Sequence, residues 1–591
     1  MQSTTPAPAA TDPSAASAAP RAPRRKRTII VGVALLAVAA VAASTALWPA
    51  SDTDGSAAPD VAALAGPLAD QRLEWEPCDF APAELLPGDV ASNVKCATIR
   101  VPKDWLDPDP GDTWNVRISL AQNIELSHPD AETLFVHAGG PFPSLSFGST
   151  TQHRVPALRE STNFVSFDQR GLGRSSTVTC DYRYDPADGP AAQPRAIGEA
   201  CSADPDLATM TTEQVAYDMD FMRHLLGVEK VSYLGYSYGT WLGSWFGKLF
   251  ADNIERMVLD SPSDGTSATY EKSWTGQDVA IDRQLRLLTM NWLARNDAVF
   301  ALGDDPGAIW DRYFSATGSP EMDGAAYLVW ASTGAATLQS KPVAIEFVAS
   351  VVGGLIAEGE SGAAGDRIER ATRVIDALGL PAEARDAAVA QFPLFTNEPV
   401  ATGPDGLVEA THSSADDFLR CADGEWTQGE AHWDDYNART ADRAPFTAQL
   451  ARLDAPPVCA FWPTDVEMPA APANFPETIV LQSELDPLTP WEQGQAVAAT
   501  TPNTSLIAVD NEGVHGVFPY GTDAVDRTVL DFLRGVADRP SSVVVAAKPL
   551  PGEEGTFEHW SPLDLEGERS DPGFSDPTVA APTATLTPVD G

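Results

Sequence analysis

Positive charge is scarce in this sequence. Its 591 residues include 39 lysines and arginines against 83 aspartates and glutamates, which gives a formal net charge of −44 at pH 7. This charge would repel a nucleic-acid backbone, so the composition argues against a nucleic-acid-binding protein. Hydrophobic residues make up 43% of the chain, which is typical of a globular protein with a large core.

Spacings that hold metal ions or nucleotides are also missing. The chain has no C-x-x-C and no H-E-x-x-H spacing, which argues against a thioredoxin-type motif and the commonest zinc sites. Asp168-Gln-Arg-Gly-Leu-Gly173 has two glycines, but it lacks both the Walker pattern and the third glycine of G-x-G-x-x-G. We therefore predict neither a metal nor a cofactor, and we interpret Asp168 and Arg170 as braces for active-site loops.

One basic cluster stands near the N-terminus. Residues 1–27 contain five basic residues, all between positions 21 and 27, and a single acidic residue, Asp12. Residues 28–48 follow as an uncharged apolar run that is long enough to span a bilayer and ends in small residues that suit a signal peptidase. The basic cluster places the bulk of the chain outside the membrane. A cleaved signal peptide and a retained membrane anchor both stay open, and either one predicts an exported protein, secreted or anchored at the outer face of the cytoplasmic membrane.

All six cysteines lie on the exported side of this apolar run. An even number of cysteines in an oxidising compartment indicates disulfide bonds, although spacing alone does not determine which cysteines pair. We favour local pairs because each closes a short loop, namely Cys78–Cys96, Cys180–Cys201 and Cys421–Cys459.

The rest of the chain divides by its pattern of apolar runs. Short runs that end at glycine- or aspartate-rich turns alternate with helical stretches, which predicts parallel strands joined by right-handed crossovers. Helix-like stretches without convincing strands dominate from about residue 263. The prediction is an α/β fold with a mostly parallel central sheet flanked by helices and a helical cap insertion. Its parts are a disordered basic N-terminus (1–27), a signal peptide or membrane anchor (28–49), a linker (50–70), the first part of the core (71–262), the cap (263–415), the second part of the core (416–545) and an acidic, proline-rich tail (546–591).

The most informative stretch is Gly235-Tyr-Ser-Tyr-Gly239, a G-x-S-x-G pentapeptide between a strand-like run and a helix-like segment. In this context a serine on a sharp turn exposes its Oγ at the end of a strand. The flanking residues must be small because the helix passes close to the strand. We predict that Ser237 is the nucleophile of an α/β hydrolase, and the alternative is an ordinary strand-to-helix turn.

A serine nucleophile needs a general base, and in this fold the base comes last in the chain. His515 lies in Gly513-Val-His-Gly516, directly after the strand-like run 505–509, and is the predicted base. The other histidines after Ser237 fit less well. His412 and His432 have no strand before them, and His559 lies in the predicted tail.

The carboxylate that orients the base should follow the preceding strand. Asp486 stands just past the strand-like run 478–482 and is held by Pro487, so we predict that it has this role. Glu484, on the same turn, is the reserve candidate.

Two backbone amides are needed to stabilise the oxyanion. One belongs to the residue after the nucleophile, here Tyr238. The other is expected from His137-Ala-Gly-Gly-Pro-Phe142, a glycine-rich turn after an early strand, where Gly140 and Phe142 are both candidates.

Taken together, these motifs resemble one family. Gly-Gly-Pro, Asp-Gln-Arg-Gly-x-Gly-x-Ser, Gly-x-Ser-Tyr-Gly-Thr, Arg-Met-Val-Leu-Asp, Asp-Pro-x-Thr-Pro and x-His-Gly occur in this order. Over roughly residues 72–540 the chain resembles the secreted tripeptidyl aminopeptidases of actinobacteria, α/β-hydrolase serine peptidases related to prolyl aminopeptidase. The resemblance implies a triad of Ser237, Asp486 and His515, places Thr489 near the site, and implies release of short peptides, typically tripeptides, from free N-termini.

The glycine-rich turn departs from the family pattern. The family usually continues Gly-Gly-Pro-Gly-Gly-Ser-Gly, whereas this chain has Gly139-Gly-Pro-Phe-Pro-Ser-Leu145. Phe142 adds bulk and Pro143 removes an amide donor, so a narrower acyl pocket, a shifted specificity or a lower activity is expected. A late cysteine pair that the family often carries after the catalytic histidine is absent as well.

The sequence therefore predicts an exported serine exopeptidase that acts on peptides with free N-termini through an acyl-enzyme. The first alternative is a secreted carboxylesterase or lipase-like hydrolase, because both classes use the same triad. The second is a catalytically weakened surface protein of the same fold, for which the altered turn is the only support.

Overall fold

The computed structural model describes residues 58–553, with short gaps, and residues 587–588. The gaps are residues 81–93, 124–130, 320–321, 323, 338–340, 392–401 and 451. The predicted basic N-terminus and the apolar segment 28–49 lie outside the described residues, and so does most of the predicted tail. Within the described part of the chain, no helix is long and apolar enough to cross a membrane.

The strands of the described residues are numbered in chain order. They are β1 (Glu76–Pro77), β2 (Val94–Pro102), β3 (Thr113–Ala121), β4 (Glu132–His137), β5 (Thr162–Asp168), β6 (Cys180–Tyr184), β7 (Val231–Tyr236), β8 (Ile254–Asp260), β9 (Val408–His412), β10 (Thr478–Ser483), β11 (Thr504–Asp510), β12 (Val543–Ala546) and β13 (Thr587–Pro588).

The α-helices are numbered in the same way. They are α1 (Val61–Ala65), α2 (Phe147–Arg154), α3 (Ala192–Ser202), α4 (Thr212–Leu226), α5 (Tyr238–Leu249), α6 (Glu271–Gln284), α7 (Asn291–Arg295), α8 (Asp297–Phe300), α9 (Pro306–Thr317), α10 (Ala325–Thr337), α11 (Lys341–Glu360), α12 (Arg367–Ala377), α13 (Ala382–Gln391), α14 (Ala415–Ala422), α15 (Glu430–Arg443), α16 (Pro445–Gln449), α17 (Trp491–Thr500) and α18 (Asp523–Leu533). A π-helical turn, Leu285–Met290, joins α6 to α7.

An eleven-stranded sheet forms the centre of the fold, in the order β1-β2-β3-β5-β4-β7-β8-β10-β11-β12-β13. The pairs β1–β2, β2–β3 and β3–β5 are antiparallel, and the other pairs of the sheet are parallel. Every residue of β7 and of β10 is buried, as expected for parallel strands that are covered on both faces. The predicted mostly parallel sheet is confirmed.

Successive strand residues contribute to different apolar clusters on the two faces of the sheet. Tyr233 and Met257 belong to the cluster that includes residues of α4 and α5. Leu234 and Val258 belong to the cluster that includes residues of α18. Because the strands from β5 to β12 in this sheet run parallel, their carboxyl ends, and the loops that follow them, lie at one edge of the sheet.

A run of helices separates β8 from the later core strands. Helices α6 to α12 contribute to a third apolar cluster, to which Phe446 of α16 also belongs. The end of the cap at residue 415 stays a prediction. Buried residues of α14 and α15 belong to the first apolar cluster, together with α4 and α5, although the central sheet resumes only at Thr478. Within this region β9 pairs with β6 in a separate two-stranded sheet, a strand that the sequence analysis did not predict.

Two predicted boundaries differ from the structure. The linker prediction of 50–70 includes α1, whose residues Val61 and Ala65 are buried in the core. The tail prediction of 546–591 begins too early, because Trp292 Nε1 donates to the Pro551 carbonyl and Arg295 pairs with Glu553. In both places a few apolar or charged groups find distant partners that local composition does not reveal.

The three predicted disulfide bonds are present. They join Cys78 to Cys96, Cys180 to Cys201 and Cys421 to Cys459, and no cysteine of the described residues is free. The second connects β6 to α3, and the third holds the end of α14 near residue 459.

Candidate active site

Ser237 occupies the turn between β7 and α5. Its backbone has φ 55° and ψ −126°, in the positive-φ region that non-glycine residues rarely adopt. Its N–H donates to the Asp260 carbonyl at the end of β8, at 3.0 Å. A strained serine that is held in this way between a strand and a helix has the geometry of a nucleophile elbow.

The glycines of the pentapeptide are required by close backbone approach. A Cβ atom on Gly235 would lie 2.4 Å from the carbonyl oxygen of Gly239. A Cβ atom on Gly239 would lie 2.9 Å from the carbonyl oxygen of His137. The predicted reason for small flanking residues, a helix that passes close to the strand, agrees with these distances.

We expect Gly235→Ala to lower the free energy of unfolding by about 1–3 kcal/mol, because the added methyl group meets backbone atoms that cannot rotate away. Gly353→Ala in α11 is the matched control. Its Cβ would find only ordinary contacts, the nearest at 3.8 Å, so stability should stay the same or rise slightly. Denaturant unfolding checks both variants, and equal losses of stability would contradict the argument.

His515 and Asp486 lie in the loops after β11 and β10 and are in contact. His515 Nδ1 lies 2.9 Å from Asp486 Oδ2 and 3.0 Å from Oδ1. Both side chains are buried. This pair matches the arrangement predicted from the sequence, in which a carboxylate orients the histidine that follows the next strand.

The Asp486 carboxylate is held by its own turn. Oδ1 accepts the N–H groups of Leu488 and Thr489 at 2.8 and 2.9 Å, and Oδ2 accepts the Thr489 hydroxyl at 3.0 Å. Thr489 Oγ1 also lies 3.3 Å from His515 Nδ1. Thr489 therefore lies beside the pair, as the family resemblance implied.

Two residues at the end of β8, Asp260 and Ser261, connect the elbow to the histidine loop. The Asp260 carboxylate accepts the N–H groups of Val517 and Phe518 at 2.7 and 2.6 Å. Ser261 Oγ accepts the Gly516 N–H at 2.8 Å. Burial raises the pKa of Asp260 to about 7, and the two amide donors oppose that rise. In the sequence, Asp260 is only the last residue of the Arg-Met-Val-Leu-Asp motif, and an aspartate at the end of an apolar run was the signal that pointed to its role.

Ser237 and His515 are thus placed on loops that are tied to the same strand end. In the described residues no hydrogen bond joins Ser237 Oγ to the His515 ring. Serine–histidine contacts in ligand-free sites are often long and tighten when substrate binds, so the placement is compatible with proton transfer.

The glycine-rich turn after β4 lies against the elbow. A Cβ atom on Gly139 would lie 2.8 Å from the Ser237 Cβ. Gly139 and Gly140 both have positive φ, at 102° and 104°. The Gly139 N–H donates to His137 Nδ1 at 3.1 Å. Glycine is required here because the turn combines an unusual backbone with close approach to the serine.

The orientation of the amides in this turn decides between the two oxyanion candidates. The Phe142 N–H donates to the Gly139 carbonyl at 3.0 Å, so the prediction that Phe142 supplies an oxyanion donor is wrong. Neither Gly140 N–H nor Tyr238 N–H has an acceptor among the described residues. These two amides are the remaining candidates.

Phe142 does not fill the space beside Ser237. Its side chain is 63% exposed, one of the few large apolar side chains of the described residues with so much exposure. Further along the loop, the Leu145 N–H donates to Asp168 Oδ1 at 2.9 Å. The bulk at position 142 therefore lies at the rim of the site rather than against the elbow.

Asp168 and Arg170 act as structural braces, but at different places. Asp168 holds the loop after the glycine-rich turn through Leu145, as predicted. Arg170 is fully buried and pairs with Asp218 at 2.7 Å, and it donates to the carbonyl groups of Pro102 and Lys103. Arg170 therefore braces α4 against the end of β2 rather than an active-site loop.

The cap contacts the loops of the histidine and the aspartate. Gln284, the last residue of α6, donates from Nε2 to the carbonyl groups of Leu485 and Gly513 at 3.1 and 2.6 Å. One side chain of the cap therefore holds both loops, a contact that no sequence pattern had indicated.

The residues ranked lower from the sequence lie elsewhere. Glu484 accepts the Asn511 N–H at 2.6 Å, and burial together with nearby Asp510 raises the pKa of Glu484 well above its usual range. The His515 ring contacts Asp486 instead, so Glu484 is not the carboxylate that orients it. His412 Nε2 lies 3.0 Å from Asp417, and the His432 ring packs on Trp433; His559 lies outside the described residues. In the described part of the chain, no group of His, Cys, Asp and Glu side chains could hold a metal ion.

Comparison with protein families agrees with this fold. A family model described as the alpha/beta hydrolase fold matches residues 134–326, which include the glycine-rich turn and the elbow. A second model, described as TAP-like protein, matches residues 444–540, which include Asp486 and His515.

Several curated proteins are similar over most of the chain. A tripeptidyl aminopeptidase of Streptomyces lividans is 28% identical over 506 residues, 78% of this chain and 84% of that protein. Serine protease Hip1 of Mycobacterium bovis is 25% identical over 514 residues, 81% of this chain and 92% of that protein. Carboxylesterase B of Mycobacterium tuberculosis is 26% identical over 488 residues, 76% and 86% of the two chains. With the fold and the matched models, these findings show that the chain is a tripeptidyl aminopeptidase-like α/β hydrolase and a serine hydrolase.

Proposed function

We propose that this protein is an exported serine exopeptidase that releases short peptides, tripeptides in the first instance, from free N-termini. The contact of His515 Nδ1 with Asp486, on loops tied to the strained Ser237 elbow, is the observation that carries the chemistry. The similarity to a tripeptidyl aminopeptidase over 78% of the chain supports the substrate class.

The proposed reaction is acyl transfer through a covalent intermediate. Ser237 Oγ attacks the scissile carbonyl carbon, and its proton passes to His515 Nε2. The Asp486 carboxylate accepts Nδ1–H, which keeps the reactive tautomer and stabilises the imidazolium. As the C–N bond breaks, His515 returns the proton to the leaving amine; water then hydrolyses the ester with the same base.

The developing oxyanion would be bound by the amides of Tyr238 and Gly140. Both are free of protein acceptors in the described residues, and the Gly139 turn lies against Ser237. Backbone donors that are already in place need no reorganisation when the charge develops, and the loss of one such donor typically costs about 10²–10³-fold in kcat.

Export is supported by two features. Three disulfide bonds are formed, and structural disulfides are rare in the reducing cytosol. The basic cluster and the apolar run of residues 28–49 have the order of an export signal or of a membrane anchor.

The test is a comparison of purified protein on tripeptidyl arylamides, single-residue arylamides and short-chain esters. We expect the tripeptidyl arylamide to be cleaved with the largest kcat/KM, and mass spectrometry of a defined peptide to show three-residue fragments. The carboxylesterase relative gives the second candidate function. Ester turnover without any arylamide cleavage would reject the peptidase in its favour.

Dependence on a free N-terminus separates an exopeptidase from an endopeptidase. Acetylation of the substrate N-terminus removes a positive charge that a carboxylate of the cap would bind. We expect kcat/KM to fall by at least roughly 30-fold, because the unpaired partner of a buried charge pair costs about 2 kcal/mol or more. Equal cleavage of free and acetylated peptides would contradict the exopeptidase proposal.

A further inference from the structure

A buried carboxylate outside the triad is linked to the residue after the nucleophile. Asp423 follows α14 and is fully buried. One of its oxygens accepts the Thr212 N–H at 2.8 Å. The other accepts Trp241 Nε1–H at 2.9 Å and the Thr212 hydroxyl. Three donors from two different helices therefore converge on one carboxylate.

The contacts continue from Thr212 to Tyr238. Thr212 Oγ1 lies 2.5 Å from the Tyr238 hydroxyl oxygen. A threonine has one hydroxyl proton. When Thr212 donates it to the charged Asp423 carboxylate, the Thr212 oxygen accepts from the Tyr238 hydroxyl. Burial raises the pKa of Tyr238 well above its usual value, which keeps the phenol protonated and able to donate. Tyr238 thus donates to Thr212, and Thr212 donates to Asp423.

These contacts reach the first turn of α5 at two points. Tyr238 begins the helix, and Trp241 stands one turn later on the side that meets Asp423. The Tyr238 ring is also enclosed by the rings of His137 and Tyr270, each with its centroid 6.0 Å away. Rotation of the Tyr238 side chain would break the hydrogen bond and displace both neighbours, so its direction is strongly determined.

The two residues that enclose the Tyr238 ring also contact the glycine-rich turn and Asp423. His137 Nδ1 accepts the Gly139 N–H of the glycine-rich turn. Tyr270, just before α6, donates its N–H to the Asp423 carbonyl at 3.0 Å. Asp423 therefore contacts the start of the cap, the start of α4 and the start of the nucleophile helix.

Burying a carboxylate at this position costs free energy, and holding the two helices together would not by itself require a charged group. Burial alone disfavours the charged form, and well-packed apolar residues often stabilise a core as much as a buried polar cluster does. A polar cluster does, however, define direction, because hydrogen bonds constrain angle as well as distance. An N–H group that binds the oxyanion must point at the oxygen on which the negative charge develops.

We propose that Asp423 is a positioning residue that acts through Thr212 on Tyr238 and so aims the Tyr238 N–H at the oxyanion. The proposal rests on the proposed role of Ser237 as nucleophile. It assigns no contact between Asp423 and substrate.

Tyr238→Phe and Thr212→Val test the link without removing the buried carboxylate. Each substitution removes one of the two hydroxyl groups that connect Tyr238 to Asp423, and each keeps the approximate size of the side chain. We expect kcat to fall about tenfold with KM within about twofold, because a misaimed donor weakens transition-state binding more than ground-state binding. Thr212→Ser keeps the hydroxyl and should restore kcat to near the wild-type value. Wild-type kcat in both Tyr238→Phe and Thr212→Val would overturn the proposal.

Asp423→Asn is compared with a matched variant, Asp282→Asn in α6. Asp282 is also fully buried, and its carboxylate also accepts two N–H groups and a threonine hydroxyl, from Phe446 and Thr447. Both variants should lose thermal stability. Only Asp423→Asn should lower kcat per titrated active site, by about tenfold or more. Equal kcat values for the two variants would show that Asp423 is merely structural and would overturn the proposal.

The rate constant for labelling of Ser237 by a fluorophosphonate separates this proposal from the peptidase proposal. In that reaction the Ser237 oxygen bonds to phosphorus, fluoride leaves and the serine proton passes to His515, so no peptide is needed. If the wild type labels but cleaves no peptide, the peptidase proposal fails, and slower labelling of Tyr238→Phe and Asp423→Asn still supports the positioning role. Equal labelling rate constants in all variants would reject the positioning role alone.

Discussion

Ser237→Ala is expected to lower kcat by roughly 10⁴- to 10⁶-fold on whichever substrate the wild type turns over, because no other group can form the acyl-enzyme. The variant should fold normally, since alanine keeps the Cβ of the strained turn and its N–H can still donate to Asp260. Covalent labelling by a fluorophosphonate should disappear completely. Steady-state kinetics on the best substrate and the labelling experiment measure the two effects.

Ser505→Ala is the control for this substitution. Ser505 is buried near the amino end of β11, away from the loop of His515, and its hydroxyl has no hydrogen-bond partner in the described residues. Its loss should leave both kcat and labelling at wild-type values. Labelling that persists in Ser237→Ala would show that the nucleophile is another residue.

Asp486→Asn is expected to lower kcat by about 10⁴-fold with little change in KM, the effect of an amide that favours the wrong histidine tautomer. The carbonyl oxygen of the new side-chain amide would still accept the N–H groups of Leu488 and Thr489. The loss should therefore be catalytic far more than structural. Kinetics together with thermal unfolding distinguish the two.

Glu484→Gln on the same loop is the matched control. The Glu484 side chain is buried and accepts the Asn511 N–H, and glutamine keeps its size and an oxygen that can accept the same N–H. We expect kcat within a few-fold of the wild type. A loss in Glu484→Gln as large as that in Asp486→Asn would contradict the choice of Asp486 as the orienting carboxylate.

The elbow and the histidine–aspartate pair could be predicted from the sequence because their signals are local. Each of Ser237, Asp486 and His515 follows its own apolar strand, and parallel strands bring their carboxyl ends to one edge of the sheet. Because the base comes after the nucleophile and the carboxylate in this fold, only a histidine late in the chain and directly after a strand could be chosen, and His515 is that residue. The three disulfide bonds were predictable for a similar reason, since each closes a short loop.

The second oxyanion donor could not be predicted in the same way. Gly140 and Phe142 both belong to the expected turn, and composition does not reveal which amide is already used. Only the folded turn shows that the Phe142 N–H bonds to the Gly139 carbonyl while the Phe142 ring points to solvent. The departure from the family pattern therefore alters the rim of the site and leaves the Gly140 amide in place.

The sequence by itself determined the class of this protein, the position of its elbow and the order of its triad candidates, because periodicity, glycine spacing and strand ends are properties of short segments. The tertiary structure decided what depends on contacts between distant segments. It showed how Asp260 ties the histidine loop to the elbow, and that Asp423 reaches Tyr238 through Thr212. Residues 212 and 423 are 211 positions apart, and only a completed core brings such groups within hydrogen-bonding distance.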